Sequence, residues 1–519
     1  MLNQIFGVAS GRAGPMAFAD LGAEESAANR QGWTIGRVPS VVLPSLSIRW
    51  AIFAISALTL WRIVTLAFDT TDLFVDEAQY WLWSQNLDFG YYSKPPMIAW
   101  ILRSMTALSG ATGIFWIRIC GPIFHFATSL VLMQAARRLF DKDIGAWTGV
   151  TYITLPGVAL SSVFFSTDVI LLFFLAVALA AYLALTEKPS IPTAIVLGLS
   201  VAGAFLSKYA ILFVLPGGLI ALACLPRARP AWRDVCLAVV VAIAGSLPNL
   251  WWNLNHRMIT VTHTESIAHW GQLNPRLLGG LEFFGAQFGV VGPIVFAAIL
   301  LAAARAVKQD CDWREQLLIW LSVPVVALIC FQATIAKAYA NWAVTAYVAG
   351  TLLAVWTLRR VWPQGLRWSL LLNGVISCLV ALSPVFAHQL SAAGAATVMD
   401  RYLGRSLVSN AAAQLARERS LKDIVSDNRD ILADMFYTLR GQGFNLYSRA
   451  ETAVPQSYYE QMFAAPKSLS APVLFVSTRP STCTAGQQVL ARTWQPRSGN
   501  YRGRTIYAYQ LDPSCLVAQ

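Results

Sequence analysis

Long apolar runs, each separated from the next by a polar segment, dominate the pattern of the chain. A helix that crosses a bilayer needs about 20 apolar residues, and eleven runs reach or approach that length. This pattern predicts a polytopic α-helical membrane protein in which residues 47–389 form the transmembrane domain. The eleven predicted spans are 49–68, 116–136, 144–164, 169–186, 191–206, 209–225, 235–250, 284–304, 316–334, 341–357 and 368–388.

Polar segments flank the transmembrane domain on both sides. Residues 1–46 contain no long apolar run and no secretory signal peptide, so we expect them to be cytoplasmic and the first run to act as an uncleaved anchor. In residues 390–519, apolar positions recur every four residues over 403–415, which favours a helix, and short β-like runs follow at 473–476 and 505–509. We therefore predict a small C-terminal soluble α/β domain.

The distribution of basic residues predicts which loops face the cytoplasm. With a cytoplasmic N-terminus, the inner loops hold thirteen Lys and Arg residues, whereas the longer outer loops and adjoining span ends hold seven. Because positively charged loops stay on the cytoplasmic side, this orientation is favoured. An odd number of spans then places residues 390–519 on the periplasmic side, together with two long outer loops at 69–115 and 251–283.

Composition supports a membrane protein and argues against a nucleic-acid-binding one. Of the 519 residues, 56% are hydrophobic and 13% are charged, whereas soluble domains carry about 25% charged residues. The net charge of +12 does not indicate a nucleic-acid partner, because the basic residues are scattered among apolar runs and form no stripe with exposed aromatic residues. An anionic substrate or lipid surface explains the charge better.

Two of the eight cysteines stand apart from the apolar runs. Cys483 and Cys515 both lie in the tail, 32 positions apart, on the side predicted to be periplasmic. Because disulfides form and persist in oxidising compartments, the sequence predicts that these two residues are bonded to each other.

The first outer loop combines acidic, aromatic and basic residues next to a predicted span. Asp76 and Glu77 come near its start, and Tyr92 and Lys94 lie just before Pro95-Pro96. Glycosyl transfer needs a carboxylate that removes a proton from the attacking hydroxyl and cations that hold a departing phosphate. Asp76 would supply the first function and Lys94 the second. The alternative is that Asp76 only caps the helix that follows it.

Further polar residues interrupt the outer ends of other spans. Asp168 stands in a short turn, either as a second acidic residue of the same cavity or as a helix N-cap, and these two roles are compatible. Lys208 lies in apolar surroundings, where lysine is costly and often functional, although a side chain that snorkels to the interface would also explain it. Lys337 places another cation on the outer face.

The second outer loop contains three of the five histidines of the chain, His256, His263 and His269. Their spacings of seven and six residues match no common metal-binding pattern. We therefore assign no metal ligands, and a divalent metal stays an open alternative. Arg257 and a nearby histidine such as His263 are better interpreted as a clamp for a phosphate group.

Five short segments of the outer face carry a family resemblance. They are Asp76-Glu77-Ala78-Gln79-Tyr80-Trp81, Tyr92-Ser93-Lys94-Pro95-Pro96, Ser166-Thr167-Asp168, Pro248-Asn249-Leu250-Trp251-Trp252-Asn253 and Ala340-Asn341-Trp342. Together they resemble bacterial glycosyltransferase family 39, which is similar to protein O-mannosyltransferases and to the aminoarabinose and galacturonic acid transferases that modify lipid A. The resemblance covers roughly residues 50–350; its first segment is the most specific part.

The resemblance implies a GT-C fold with thirteen spans, two more than the eleven counted, in a bacterial inner membrane. It implies an inverting glycosyltransferase that moves a sugar from a polyprenyl-phosphate donor to an extracytoplasmic acceptor such as lipid A, core saccharide or another envelope glycan. Asp76 would be the base or the carboxylate that orients the acceptor. Lys94, with Arg257 or Lys208, would hold the carrier phosphate.

One position departs from part of the family. Some relatives of the aminoarabinose type have an acidic residue directly before Lys-Pro-Pro, where this chain has Ser93. The candidate catalytic residues are Asp76, Glu77 and Asp168, and the candidate residues for binding the donor phosphate are Tyr92, Lys94, Lys208, Arg257, His263 and Lys337.

Other interpretations remain open from the sequence. An enzyme like the protein O-mannosyltransferases would use a similar donor but transfer the sugar to protein. A transporter or flippase of lipid-linked sugars would be expected to show inverted repeats and helices broken near the midplane, whereas the polar clusters here lie at one face. A scaffold without activity would leave those clusters unexplained. The sequence contains no glycine-rich phosphate loop, which agrees with a donor other than a nucleotide.

Overall fold

A computed structural model describes residues 44–268, 275–308, 311–392, 398–450, 452, 454–483 and 486–516. Leu43–Gln519 form one compact unit. Nearly all of the N-terminal segment 1–46, predicted to be cytoplasmic, lies outside the described residues, as does His269. The predicted boundary between the transmembrane domain and the tail, at residue 390, falls within a short helix, Ala387–Ala392.

Helices build the membrane part of the molecule. They are α1 Ile48–Ala67, α2 Val75–Gln85, α3 Met97–Ser109, α4 Ile114–Arg118, α5 Cys120–Leu139, α6 Lys142–Thr154, α7 Pro156–Val163, α8 Thr167–Glu187, α9 Ile191–Ser207, α10 Leu215–Cys224, α11 Trp232–Asn255, α12 Ile259–Ala268, α13 Leu277–Val291, α14 Pro293–Lys308, α15 Trp313–Ile335, α16 Ala346–Val361, α17 Pro363–Leu382 and α18 Ala387–Ala392. Short 3-10 turns lie at Tyr209–Val214, Pro226–Ala228, Ala340–Ala343 and Val398–Tyr402.

Within the described ranges, six helices are long and apolar enough to cross a membrane, and a seventh crossing results if the bent pair α13 and α14 counts as one. The prediction of a polytopic helical membrane protein is confirmed. The predicted number of eleven spans is higher than helix length alone supports, because four predicted spans coincide with shorter or broken helices. These four are 144–164, 191–206, 209–225 and 341–357.

The predicted continuous span 284–304 is wrong, since α13 and α14 meet at an angle of 117°. Gly292 separates them with a φ of 87°, and a Cβ atom at this position would lie 2.2 Å from the side-chain oxygen of Asn373. Only glycine tolerates both constraints. Pro293 then begins α14 at a position where its missing N–H is harmless.

A second break divides the predicted span 144–164 between α6 and α7. Pro156 begins α7 and has no N–H for a continued helix. The buried Arg62 of α1 donates a hydrogen bond of 2.6 Å from Nη2 to the carbonyl of Ile153, in the last turn of α6. The same guanidinium donates to the hydroxyls of Ser162 and Ser377, so Arg62 connects α1 to three other helices at the break.

The tail folds as the predicted small α/β domain. Its five-stranded sheet has the order β2-β1-β3-β5-β4; β2, β1 and β3 are parallel, and β5 is antiparallel to both β3 and β4. The β-like runs predicted at 473–476 and 505–509 are the central strands β3 and β5. The elements are α19 Arg405–Glu418, β1 Asp423–Ser426, α20 Arg429–Thr438, β2 Asn445–Ser448, α21 Tyr458–Met462, β3 Val473–Ser477, β4 Gln488–Trp494 and β5 Ile506–Leu511.

Two further predictions for the tail have different outcomes. The disulfide between Cys483 and Cys515 is present, so that prediction is confirmed. The helix predicted from the apolar spacing of 403–415 exists as α19, which begins at Arg405, but only part of its predicted apolar face is buried. Leu415 is buried as predicted, whereas Leu407 is 68% exposed and the neighbouring Val408 is buried instead.

The tail packs against residues 69–115, the first of the two loops that the sequence predicts to be outer. Helix α20 lies along α2, and the Tyr437 hydroxyl of α20 donates to the carbonyl of Thr112 at 2.9 Å. At the start of α19, the backbone N–H groups of Arg405 and Ser406 donate to the carboxylate of Asp72 at 2.8 and 3.3 Å. A carboxylate at a helix N-terminus satisfies unpaired N–H groups, so the first outer loop holds the tail domain in place.

Candidate active site

Asp76 lies in the first turn of α2, directly after the first predicted span. The helix begins there because the Glu77 carboxylate accepts the backbone N–H of Phe74 at 2.9 Å, the return half of a capping box. Helix α2 carries mostly buried residues, including Trp83. This packing fixes the direction in which the side chain of Asp76 leaves the helix.

Glu77 points into the protein, where it binds the buried Arg118. Its carboxylate accepts bonds from Arg118 Nη2 at 2.7 Å and Nε at 3.1 Å, and Asp69 accepts from Nη1 at 2.6 Å. The backbone N–H of Phe165 donates to Glu77 at 3.1 Å. Both carboxylate oxygens are therefore engaged, and Glu77, predicted with the catalytic residues, occupies a closed ion-pair cluster that anchors α2.

Asp76 faces the tail domain and pairs with Arg429. The Nη2 atom of Arg429 lies 2.5 Å from the Asp76 carboxylate, and its Nε donates to the side-chain oxygen of Gln79 at 3.0 Å. Burial acts to raise the pKa of the Asp76 carboxyl, but the positive charges of Arg429 and Lys94 outweigh it, so this pKa lies below its ordinary value. Asp76 is thus a carboxylate at neutral pH.

Lys94 belongs to the same group of charged residues, here called the chamber, which comprises Asp76, Lys94, Asp168, Lys208 and Arg429. In the described part of the chain its ammonium makes no hydrogen bond and no ion pair. Burial, helped by the charge of Lys208, lowers the pKa of Lys94, against the opposing effect of Asp76 and Asp168. Lys94 therefore lies near enough to Asp76 and Asp168 for their charges to act on it, and its ammonium is unpaired among the described residues.

Asp168 and Lys208 form the opposite side of the chamber. Lys208 Nζ lies 2.6 Å from one oxygen of Asp168, and Asn341 Nδ2 donates to the other at 2.7 Å. Ser166 occupies the N-cap of α8, with Asp168 in the first turn, so Asp168 is not the N-cap itself. These three residues join the outer ends of α8 and α9 to the turn Ala340–Ala343.

The segment Pro248-Asn249-Leu250-Trp251-Trp252-Asn253 supports the first loop from the end of α11. Asn249 donates to the carbonyl of Phe89 at 2.7 Å, and the Trp252 indole donates to Asp88 at 2.7 Å. A Cβ atom on Gly90 would lie 2.4 Å from the Trp252 ring, so the loop approaches α11 as closely as a glycine permits. The segment positions the residues before Lys94.

Tyr92 and His263 close one edge of the chamber. Their ring centroids lie 4.9 Å apart, and the Tyr92 hydroxyl donates to the carbonyl of Pro455 in the tail domain at 3.2 Å. Burial, and then the charge of Lys94, lower the pKa of His263 to about 4. Without a bound anion, these effects favour the neutral imidazole of His263 at pH 7.

Two predicted phosphate-binding residues lie apart from this cluster. Arg257 is exposed in the connection between α11 and α12, with a φ of 55°, and forms no ion pair with described residues. Lys337 is exposed, and its ammonium lies 4.8 Å from the centre of the Tyr339 ring. Neither contacts Asp76, Lys94 or Asp168 through a hydrogen bond or ion pair.

Sequence reasoning missed Arg429, the residue that completes the chamber. It belongs to the tail and begins α20, immediately after the N-cap Asn428 and close behind β1. A polar residue that follows the carboxyl end of a parallel strand is a common position for functional side chains, and this was the available signal. As for metals, no group of three or more His, Cys, Asp or Glu side chains that could hold an ion occurs among the described residues.

The fold and the chamber define a polytopic membrane protein with a charged site where the helices meet a small α/β domain. Residues 93–252 match the family described as dolichyl-phosphate-mannose-protein mannosyltransferase. The chain is 57% identical over 472 residues to the lipid A galacturonosyltransferase RgtD of Rhizobium johnstonii, covering 91% of this chain and 100% of the relative. It is 26% identical over 183 residues to the lipopolysaccharide core galacturonosyltransferase RgtB of the same organism, covering 34% and 37%.

The fold is similar to that of ArnT from Cupriavidus metallidurans, solved bound to undecaprenyl phosphate. The TM-score is 0.64 at 15% identity, and the match covers 89% of this chain and 98% of ArnT. The chain belongs to the glycosyltransferase family of RgtD, as the match over 91% of this chain and 100% of RgtD shows, and its fold is the GT-C fold of ArnT. The predicted family, fold class and enzyme class are confirmed.

Proposed function

We propose that this enzyme transfers a galacturonosyl group from a polyprenyl-phosphate carrier to lipid A or a closely related glycolipid on the periplasmic side of the inner membrane. The observation that carries the proposal is the unpaired ammonium of Lys94 beside the carboxylate of Asp76. The extensive identity to RgtD supports the choice of sugar and acceptor. The disulfide in the tail supports a periplasmic orientation.

The cations of the chamber bind the carrier phosphate. Lys94 has no partner among the described residues and is placed to pair with a phosphate oxygen, while Lys208 is held by Asp168 at 2.6 Å. As the bond between the anomeric carbon and the phosphate oxygen breaks, negative charge grows on the phosphate. Preorganised cations in a poorly solvated site stabilise that charge and lower the barrier.

Asp76 acts on the acceptor. The attacking hydroxyl donates a hydrogen bond to its carboxylate, attacks the anomeric carbon from the side opposite the phosphate and gives up its proton to Asp76. This attack inverts the anomeric configuration. Because the pKa of Asp76 is held low, the carboxylate is always available, and its role is to orient the hydroxyl and accept the proton as the bond forms.

The remaining predicted residues take other roles in this proposal. Asp168 positions Lys208 and Asn341, and Tyr92 with the neutral His263 forms a wall of the chamber. Glu77 has no catalytic role, since its carboxylate is saturated by Arg118 and two backbone N–H groups. We also assign no phosphate contact to the exposed Arg257 and Lys337.

A transfer assay with the purified enzyme in proteoliposomes tests the proposal. Radiolabelled polyprenyl-phosphate galacturonate and lipid A are supplied, and labelled lipid A is separated from the donor. We expect Lys94→Met to reduce transfer at least about 100-fold, because an ion pair to the phosphate is lost. The matched control Lys337→Met removes an exposed lysine and should leave transfer unchanged.

The same assay separates the competing functions. Label that crosses the bilayer while still attached to the carrier would identify a flippase, and label on added protein rather than on lipid A would identify a protein glycosyltransferase. Full transfer by Lys94→Met would overturn the phosphate assignment.

A further inference from the structure

We infer that Arg429 binds the carboxylate of a uronic acid donor sugar and thereby sets the specificity of the enzyme for charged sugars. This inference rests on the proposed function, because it names the sugar group that the same chamber recognises. Its basis is an arginine from the tail domain that reaches the catalytic chamber with part of its guanidinium unused.

The guanidinium of Arg429 is fixed on two sides. Its Nε donates to Gln79 at 3.0 Å and its Nη2 to Asp76 at 2.5 Å. Its Nη1 makes no hydrogen bond to any residue that the structure describes, and 39% of the side chain is exposed. An arginine offers five N–H donors in a rigid plane, so Arg429 presents oriented, unused donors toward the chamber.

A buried hydroxyl on which the charge of Arg429 acts also lacks a hydrogen-bond partner among the described residues. Tyr459 is fully buried, and its hydroxyl has no hydrogen-bond partner in the described ranges. It lies close enough to Arg429 and Asp76 for their charges to act on it. Buried polar groups are nearly always hydrogen-bonded, so this unpaired hydroxyl, together with the unused donors of Arg429, is consistent with an oxygen-rich ligand at the chamber.

The charges of the chamber explain why this second group is needed. Lys208 pairs with Asp168 and Arg429 with Asp76, which leaves Lys94 as the excess positive charge. One cation matches the single negative charge of a glycosyl phosphodiester. A uronic acid brings a second negative charge, and burying it without donors is costly.

Arg429 is placed to meet that charge. In this arrangement the sugar lies between the phosphate at Lys94 and the acceptor hydroxyl at Asp76. The substituents of the sugar ring therefore come close to the guanidinium of Arg429, which pairs with Asp76. A planar guanidinium can bridge two carboxylates, whereas the ammonium of lysine acts as a point charge. The backbone N–H groups at the start of α20 cannot substitute, because Asn428 already accepts those of Asp430 and Ile431 at 2.9 and 3.3 Å.

Binding of two matched donors to the full-length enzyme tests the inference. The probes are polyprenyl-phosphate galacturonate and polyprenyl-phosphate galactose. They differ only at C6 of the sugar, which is a carboxylate in the first and a hydroxymethyl group in the second. The Kd of each donor is measured with the enzyme in nanodiscs. We expect the wild type to prefer the uronate, and Arg429→Gln to reduce this preference at least about 10-fold, as expected for a charge-assisted hydrogen bond. Arg419→Gln, at an exposed arginine of the same domain, is the matched control and should keep the preference.

Two further variants make the outcome unambiguous. Arg429→Lys retains the charge and should still lose most of the preference; a preference equal to that of the wild type would overturn the inference. Equal weakening of both donors by Arg429→Gln would also overturn it, since Arg429 would then only position Asp76. Lys94→Met should weaken both donors by the same factor, and its failure to do so would count against the proposed function and not against the role of Arg429.

Discussion

Replacing Glu77 by glutamine is expected to destabilise the fold while leaving the chemistry of the folded enzyme largely intact. Glu77 accepts four hydrogen bonds, two from Arg118 and one each from the N–H groups of Phe74 and Phe165. Glutamine replaces one carboxylate oxygen by an NH2 group, which faces two of these donors. Asp69 is then the one carboxylate that still pairs with Arg118 among the described residues. Breaking a buried ion pair costs about 3–5 kcal/mol.

The neighbouring Asp76→Asn variant provides the contrast. Asp76 is 43% exposed at its side chain, where ion pairs contribute below about 1 kcal/mol, so its loss should barely affect stability. Transfer should nevertheless fall about 100- to 10,000-fold, the usual contribution of a catalytic base.

Thermal unfolding in nanodiscs at one scan rate, combined with the transfer assay, measures both effects. For Glu77→Gln we expect a lower unfolding temperature, with transfer per folded molecule within a few-fold of the wild type. For Asp76→Asn we expect an unchanged unfolding temperature and strongly reduced transfer. A Glu77→Gln enzyme as stable as the wild type but inactive would refute the assignment of Glu77 to an anchoring role.

Three further predictions concern the loop and the tail. Burial raises the pKa of Asp434 to about 6 in the fold, above its unfolded value of about 3.9, so the folded state binds more protons between these values. Stability should therefore fall by roughly 2 kcal/mol as pH rises from 4 to 6, and Asp434→Asn should remove this slope in pH-dependent unfolding. Replacing Cys483 and Cys515 by serine should lower the stability of the tail by about 2–4 kcal/mol, measured by unfolding with and without reductant; an unchanged midpoint would contradict it. Gly90→Ala should displace the first loop from Trp252 and thereby raise the Kd of the donor. An unchanged donor Kd would contradict this prediction.

Local sequence was sufficient to nominate Asp76 and Lys94 as candidates but not to divide the roles of the adjacent acids Asp76 and Glu77. Both lie in one loop, and the proline pair after Lys94 fixes its position near the start of α3. Successive residues on a helix point about 100° apart, so Asp76 and Glu77 face different surroundings. Which one faces inward depends on Arg118, 41 residues away from Glu77, and a linear pattern does not reveal that contact.

The tail is the part for which sequence reasoning was weakest, and the physical reason is distance along the chain. Arg429 reaches Asp76 across 353 positions, through a packing of α20 on α2 that neither segment specifies alone. The spans were overcounted for a related reason. Apolar composition predicts burial in lipid, but Gly292 and Pro156 decide where a run stops being one helix.

The most direct test of the central claim measures donor binding and sugar transfer separately in variants of Lys94 and Asp76. Donor Kd and the single-turnover transfer rate are measured in proteoliposomes for Lys94→Met and Asp76→Asn, each beside wild type. If the ammonium holds the phosphate and the carboxylate acts on the acceptor, Lys94→Met raises the Kd strongly, and Asp76→Asn binds the donor normally but transfers slowly. Normal Kd for Lys94→Met together with a normal rate for Asp76→Asn would contradict the account.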